Sequence, residues 1–170
     1  MIETDRLVLR KPRLEDAHDL VAAYSDAETM RYISDGRTAT LAEVEAVIPR
    51  WLERWNDWGV GFFVLERKQE PGVVGRAGFL RWNPETWEVG GAETEIGWTL
   101  AREHWGHGYA TEAALALRDW AFDEHGLTRL ISLIQDGNLR SIHVAEKLGE
   151  RYERDVEVRG RPTRLYSVER

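Results

Sequence analysis

The sequence predicts one mixed α/β domain with a largely antiparallel sheet, spanning residues 1–170. Three observations predict it. The apolar period switches repeatedly between two and 3.6, so strands and helices interleave along the chain. Two strand-like runs, 61–67 and 72–82, flank the polar turn 68–71, as in an antiparallel hairpin. The chain's 170 residues hold no repeat, low-complexity segment or linker, which leaves room for a single core.

Arg6-Leu7-Val8-Leu9-Arg10 alternates charge and bulk as a strand does, and Pro12 stops it. Leu14, Ala17, Leu20, Val21 and Tyr24 then fall at helical spacing, and a short helical segment is expected over 27–33. Thr40 and Glu43 form a capping box ahead of a helix to Trp58, with Val44, Ile48, Trp51, Leu52, Trp55 and Trp58 on one stripe. Pro49 is expected to kink or divide that helix. After the hairpin and an irregular stretch, 83–91, a strand is expected over 92–101 and a helix over 109–124. A short apolar strand at 129–134, a helix over 138–148 ended by Gly149, and polar strands at 151–158 and 163–168 complete the chain.

Composition narrows the function. With 42% hydrophobic and 31% charged residues, the chain is too apolar for disorder and too interrupted by charge to span a bilayer. Twenty-three Lys and Arg against 30 Asp and Glu give a net charge of −7, which argues against nucleic-acid and membrane-surface partners. No cysteine occurs, so disulfides, Cys-ligated zinc and a thiol nucleophile are excluded. The first six residues lack the apolar core of a signal peptide, and a cytoplasmic location is expected.

Between a strand and a helix, Trp105-Gly106-His107-Gly108-Tyr109-Ala110 has the placement of an anion-binding turn. Missing side chains let the backbone approach a phosphate, and the first N–H groups of the helix point at it. The turn matches neither G-x-G-x-x-G nor a P-loop. A plain tight turn is the alternative.

The runs Glu95-Ile96-Gly97-Trp98-Thr99-Leu100 and His104 to Ala113, with Asn138-x-x-Ser141 and Glu146-Lys147-Leu148-Gly149, resemble in order and spacing the GCN5-related N-acetyltransferase (GNAT) family. Thr4 to Arg10 and Glu15-Asp16-Ala17 extend the resemblance to the start. It looks most like the branch of ribosomal-protein alanine N-acetyltransferases. The resemblance implies an α+β fold with a mixed, mostly antiparallel sheet of about seven strands, splayed between the fourth and fifth and flanked by about four helices. It implies acetyl-CoA as co-substrate, no metal, and transfer of the acetyl group to a primary amine. The pyrophosphate loop of the family falls on Trp105, Gly106, His107, Gly108, Tyr109 and Ala110, with Trp at its first position. Trp98, Thr99 and Leu100 would offer main-chain groups to the pantetheine arm, and Asn138 would contact a cofactor amide. The position of the family's usual acid, often Tyr, is Ala145, which leaves Ser141 as the candidate proton donor.

Acyl transfer needs a neutral amine, a place for the developing oxyanion and a proton for the leaving sulfur. Without cysteine, direct attack in a ternary complex is the simplest course. A peptide α-amino group near pKa 7.8 is roughly 15% neutral at pH 7, against about 0.04% for lysine, so a protein or peptide N-terminus asks least of the base. A small-molecule amine is the alternative acceptor, and a silent acyl-CoA-binding module the alternative function. Glu95, on one strand face with Gly97 and Thr99, is the expected base, acting through water, and Glu93 is its understudy. Each of these residues has a plainer reading: a solvated strand glutamate for Glu95, a helix cap for Asn138 and a first-turn serine for Ser141. His104 and His107 lack a third ligand for a metal. Arg140 and Lys147 are candidates for neutralising phosphates. Trp51, Trp55 and Trp58 read as core or as an aromatic wall of the acceptor cleft, with Trp51 and Trp55 the substrate-facing candidates; Trp82 and Trp87 would extend that wall or serve a homodimer contact. The overall acidity is expected to suit a cationic amine.

Overall fold

A computed structural model describes residues 1–70, 72–83 and 92–170. In chain order the elements are β1 (Ile2–Glu3), β2 (Leu7–Arg10), α1 (Ala17–Tyr24), α2 (Ala27–Met30), α3 (Leu41–Trp58), β3 (Phe62–Arg67) and β4 (Val73–Trp82). There follow β5 (Glu93–Leu100), α4 (Tyr109–Asp123), β6 (Arg129–Gln135), α5 (Leu139–Leu148), β7 (Arg151–Val158) and β8 (Arg161–Glu169). One strand was not expected: β1 is two residues long, too short to show a period. The short helical segment expected over 27–33 is the single turn α2, set by the Asp26 side chain accepting from the Thr29 N–H.

The eight strands of the described residues form one sheet in the order β1-β2-β3-β4-β5-β6-β8-β7. Every neighbouring pair is antiparallel except β5 and β6, which run parallel and meet at one register position, Glu95 opposite Ile131. Beyond that point the two strands part. They are the fourth and fifth of the seven strands expected from sequence, so the splay lies where the family resemblance puts it.

Helices cover both faces. Val44, Ile48 and Trp51 of α3 pack with Leu20 of α1 and Phe62 and Val64 of β3. On the other face Ala113, Leu117 and Ala121 of α4 pack on Leu7, Leu9, Phe63, Leu65, Phe79 and Ile96. The α3 helix begins at the expected capping box, Thr40 Oγ1 accepting from the Glu43 N–H at 3.3 Å while Glu43 Oε2 accepts from the Thr40 N–H at 2.8 Å. It runs unbroken through Pro49, correcting the expected division. Its buried stripe of Val44, Ile48, Trp51 and Trp55 on both sides of the proline outweighs one lost ladder bond.

Candidate functional site

Where β5 and β6 part, the sheet opens a cavity of about 370 Å³. Its walls are Trp98, Thr99 and Leu100 of β5, the glycine turn with the start of α4, and Asn138, Ser141, Val144 and Lys147 at α5. Gly106 and Gly108 have φ of +79° and +80°, so side chains are disfavoured there on backbone grounds. A Cβ on Gly106 would meet nothing within 4 Å, which leaves the turn's inner surface as bare backbone. No side chain caps the first turn of α4, and its leading N–H groups lie at this cavity through Tyr109, Ala110 and Thr111.

The turn is tied from behind by the chain's opening residues. Arg6 NH1 donates to the His107 carbonyl at 2.8 Å, and Glu112 accepts from Thr4 Oγ1 at 2.6 Å and from the Arg6 N–H at 2.8 Å. His107 therefore contributes main chain, and its side chain stacks near Tyr109 rather than lining the cavity. Trp105 Nε1 donates to the Leu100 carbonyl at 2.9 Å, and the Arg140 guanidinium lies 4.0 Å from the Trp105 ring. The tryptophan at the first turn position is thus a platform that carries a cation to the cavity rim. The same Arg140 donates to Glu28 at 3.1 Å. Asn138 caps α5, its Oδ1 accepting from the Ser141 N–H at 3.3 Å, and both residues face the cavity. Among the described residues, no three His, Cys, Asp or Glu come together as a metal site. Burial holds His104 below its ordinary pKa, and its Nε2 sits 3.4 Å from Glu103.

A second cavity, about 460 Å³, lies on the other side of β5. The two share Tyr32, Ile33, Trp98, Thr99, Asn138 and Ser141 in their walls. At this junction Thr99 Oγ1 is buried with no hydrogen-bond partner among the described residues, an orphan polar atom where both cavities reach. The antiparallel register puts Arg76 beside Thr99 and Leu80 beside Glu95 on one sheet face. Gly97 between them leaves the floor open, for a Cβ there would meet only Glu95 Oε1, at 3.8 Å.

Glu95 lies deep in this second cavity and Trp82 Nε1 donates to its Oε2 at 2.7 Å. Burial pushes its carboxyl up to about 7, outweighing the Trp82 hydrogen bond and the charges of Arg76 and Arg159. Glu93 is different: Arg129 Nε pairs with its Oε2 at 3.2 Å, and it lines neither cavity. The understudy is thereby engaged elsewhere.

Tryptophan assignments divide. Trp51 lines the second cavity while packing edge-on against Phe62 at 5.3 Å. Trp55 does not line it. Its ring meets Phe63 and Trp120, and its Nε1 donates to the Phe62 carbonyl at 2.8 Å, so the expected substrate contact is corrected to a core role. Seven residues after Trp55, the chain has turned through Gly59 and laid β3 against the helix, a tertiary event that no helical stripe announces. Trp82 is a cavity residue and hydrogen-bonds the candidate base, while Trp87 lies outside the described residues. Ala145 is fully buried.

Sequence reasoning missed Glu150. It is 3% exposed, directly after the Gly149 cap, and its Oε1 sits 3.0 Å from Ser132 Oγ, which is also 3.0 Å from the Ile96 carbonyl. One hydroxyl proton cannot serve two acceptors. A protonated Glu150 satisfies both contacts, donating to Ser132 while Ser132 donates to Ile96, and burial accordingly pushes this carboxyl up to about 8. Missed as well was the charge of the second cavity, whose walls, among the described residues, include Arg54, Arg76, Arg81 and Arg159 with Glu95 as the acid. A net charge of −7 describes the whole chain and not this wall.

A splayed sheet with a bare glycine turn at the split is the architecture of an acyl-CoA-dependent transferase. The acetyltransferase (GNAT) domain model matches residues 6–151, and the chain belongs to the GNAT N-acetyltransferase family. The Bacillus subtilis protein YkkB is 32% identical over 169 residues, covering 96% of this chain and 92% of that one. A GNAT-family acetyltransferase from Bacillus anthracis superposes with a TM-score of 0.82 at 26% identity, covering 99% of this chain and 97% of that one. RimL, a ribosomal L7/L12 alpha-N-protein acetyltransferase solved in complex with coenzyme A, shares the fold with a TM-score of 0.80 at 14% identity, over 98% and 95% of the two chains.

Proposed function

We propose that the first cavity holds acetyl-CoA, the second admits an α-amino group, and the acetyl group passes directly between them at the Thr99 and Ser141 junction. The observation that carries this reading is the shared wall: two cavities, one backed by bare backbone N–H groups and one holding a carboxylate with a pKa of about 7, meet at the orphan Thr99 hydroxyl. The residues present fit acetyl-CoA. Gly106 and Gly108 give a phosphate access to the backbone, the uncapped start of α4 adds its dipole, and Lys147 and Arg140 bring positive charge to the rim. Where β5 has left β6, Trp98 to Leu100 present an edge that an extended amide chain can pair with.

Within this frame Glu95 takes the proton from the ammonium group, directly or through a water. A base near 7 is matched to a peptide α-amine near 7.8 and falls about three units short of a lysine near 10.4. That match favours a protein or peptide N-terminus over a lysine side chain, with a small α-amine as the second acceptor. The neutral amine attacks the thioester carbonyl, forming the C–N bond, and the C–S bond breaks. The leaving sulfur takes a proton from Ser141 or a water it positions, and the proton the nitrogen sheds on becoming an amide passes through water to restore that donor.

Glu95→Gln tests the reading, since it keeps size and the Trp82 hydrogen bond while removing the base. Turnover should fall about 100-fold with CoA affinity intact. Undiminished turnover across pH 6–9 would remove Glu95 from the reaction.

A further inference from the structure

Three arginines from separate elements close one side of the second cavity: Arg54 of α3, Arg76 of β4 and Arg159 of the β7–β8 turn. Their direct contacts among the described residues are with neutral groups. Arg76 Nε donates to Tyr24 Oη at 2.5 Å and its guanidinium lies 3.9 Å from the Phe62 ring. Arg159 NH1 donates to Ser34 Oγ at 3.0 Å, and Arg54 lies 5.8 Å from the Trp58 ring. Among the described residues, no carboxylate pairs with any of the three. Elsewhere the arginines do find acids, Arg6 with Glu112, Arg10 with Asp16 and Arg129 with Glu153 at 2.6–2.7 Å. With 30 acidic residues against 23 basic ones, no shortage of partners forces this arrangement.

The cluster also costs free energy in two visible ways. Burial, then the charges of Arg76, Arg159 and Arg50, hold the Arg54 guanidinium below its ordinary pKa, so the like charges repel one another. Arg159 has φ of +53° ahead of Gly160 at +74°, a left-handed pair that usually carries Asn-Gly and costs an L side chain about 1 kcal/mol. Strain and repulsion held together at a cavity wall point to a ligand that relieves them. An oxyanion does so, because guanidinium groups recognise carboxylates by paired, charge-assisted hydrogen bonds. Glu95, opposite Leu80, and Arg76, opposite Thr99, mark positions four residues apart along β5, about 13 Å between backbone positions, and both residues line this cavity.

We infer that the acceptor is an acidic amine, its α-amino group toward Glu95 and a carboxylate within one residue's reach held by Arg54, Arg76 and Arg159. The inference rests on the assignment of the second cavity to the acceptor. Its two sources are a peptide beginning with Asp or Glu and a free acidic amino acid.

The experiment measures CoA release from acetyl-CoA with matched acceptors: short amidated peptides beginning with Glu, Gln or Lys, and free glutamate beside glutamine amide. Acidic members should exceed their neutral partners about tenfold in kcat/KM, the worth of one charge-assisted contact. Arg54→Gln and Arg159→Gln should each bring that ratio toward one, chiefly through KM, without weakening CoA binding; the peptide and free-amino-acid arms then identify the source. Equal or better use of the neutral or cationic acceptors, or a ratio indifferent to both substitutions, overturns the inference while leaving the acceptor cavity in place. CoA release with none of the acceptors removes the cavity assignment and the inference together.

Discussion

Arg6 reaches Glu112 through two nitrogens, Nε at 2.7 Å and NH2 at 2.6 Å from the same Oε2, across 106 residues of chain. With NH1 on the His107 carbonyl, this one side chain joins the start of α4 to the middle of the glycine turn. Arg6 is half exposed, so the pair itself adds little to stability, but it fixes where the turn's backbone lies. Arg6→Ala should therefore weaken CoA binding about fivefold, near 1 kcal/mol, with little change in melting temperature. Calorimetric titration with CoA checks this, and wild-type affinity would show the turn to be self-supporting.

Gly108 is the stricter case. Its φ of +80° disfavours any side chain, and a Cβ there would lie 3.4 Å from the Arg6 NH2 that holds the turn. Gly108→Trp should abolish CoA binding while circular dichroism shows the fold retained, since the turn lies at the surface of the sheet's split. Normal binding would detach the turn from the cofactor.

The readability of this chain follows from what each feature depends on. Helices and most strands were legible because their burial is periodic, and the glycine turn because φ above zero selects glycine. The splay was legible only through resemblance, since it consists of pairings that β5 and β6 do not make. Twenty arginines among 23 basic residues are visible in the sequence, yet nothing there brings Arg54, Arg76 and Arg159 to one wall, for they sit on three elements joined only by the fold. Trp55 misled because its stripe is shared with Trp51, and the two differ only in which layer of β3 they meet: Phe63 for Trp55, Phe62 for Trp51.

That difference gives a stability prediction. Trp55 packs against Phe63 at 4.7 Å and is 7% exposed, so Trp55→Ala should cost about 3–5 kcal/mol by denaturant unfolding. A loss under 1 kcal/mol accompanied by a raised acceptor KM would restore it to the substrate wall.

Glu150 and Glu95 set how stability depends on pH. Both carboxyls titrate above the ordinary 4.5 in the folded chain, near 8 and 7, so between pH 4.5 and these values the folded state binds more protons than the unfolded one. The contribution of these two groups to stability falls as pH rises through that window, the reverse of a salt-bridged carboxylate. Glu150→Gln keeps a donor toward Ser132 and removes the charge, so its melting temperature should overtake that of the wild type above pH 7 and match it near pH 5. Parallel curves from pH 5 to 9 would mean that Glu150 is ionised throughout.

Ser141 stands where the two cavities join, and Ala145, one turn further along α5, is a buried methyl with no proton to give. The cap from Asn138 uses the Ser141 main-chain N–H, which alanine retains. Ser141→Ala thus removes the hydroxyl without uncapping the helix, and kcat should fall about tenfold or more while the dissociation constant for CoA stays put. With the hydroxyl serving the leaving sulfur and not the attacking amine, as proposed, the loss should shrink with an acyl donor whose thiol leaves more readily. An equal loss with both donors would place Ser141 in acetyl positioning, and no loss would leave it as part of the wall.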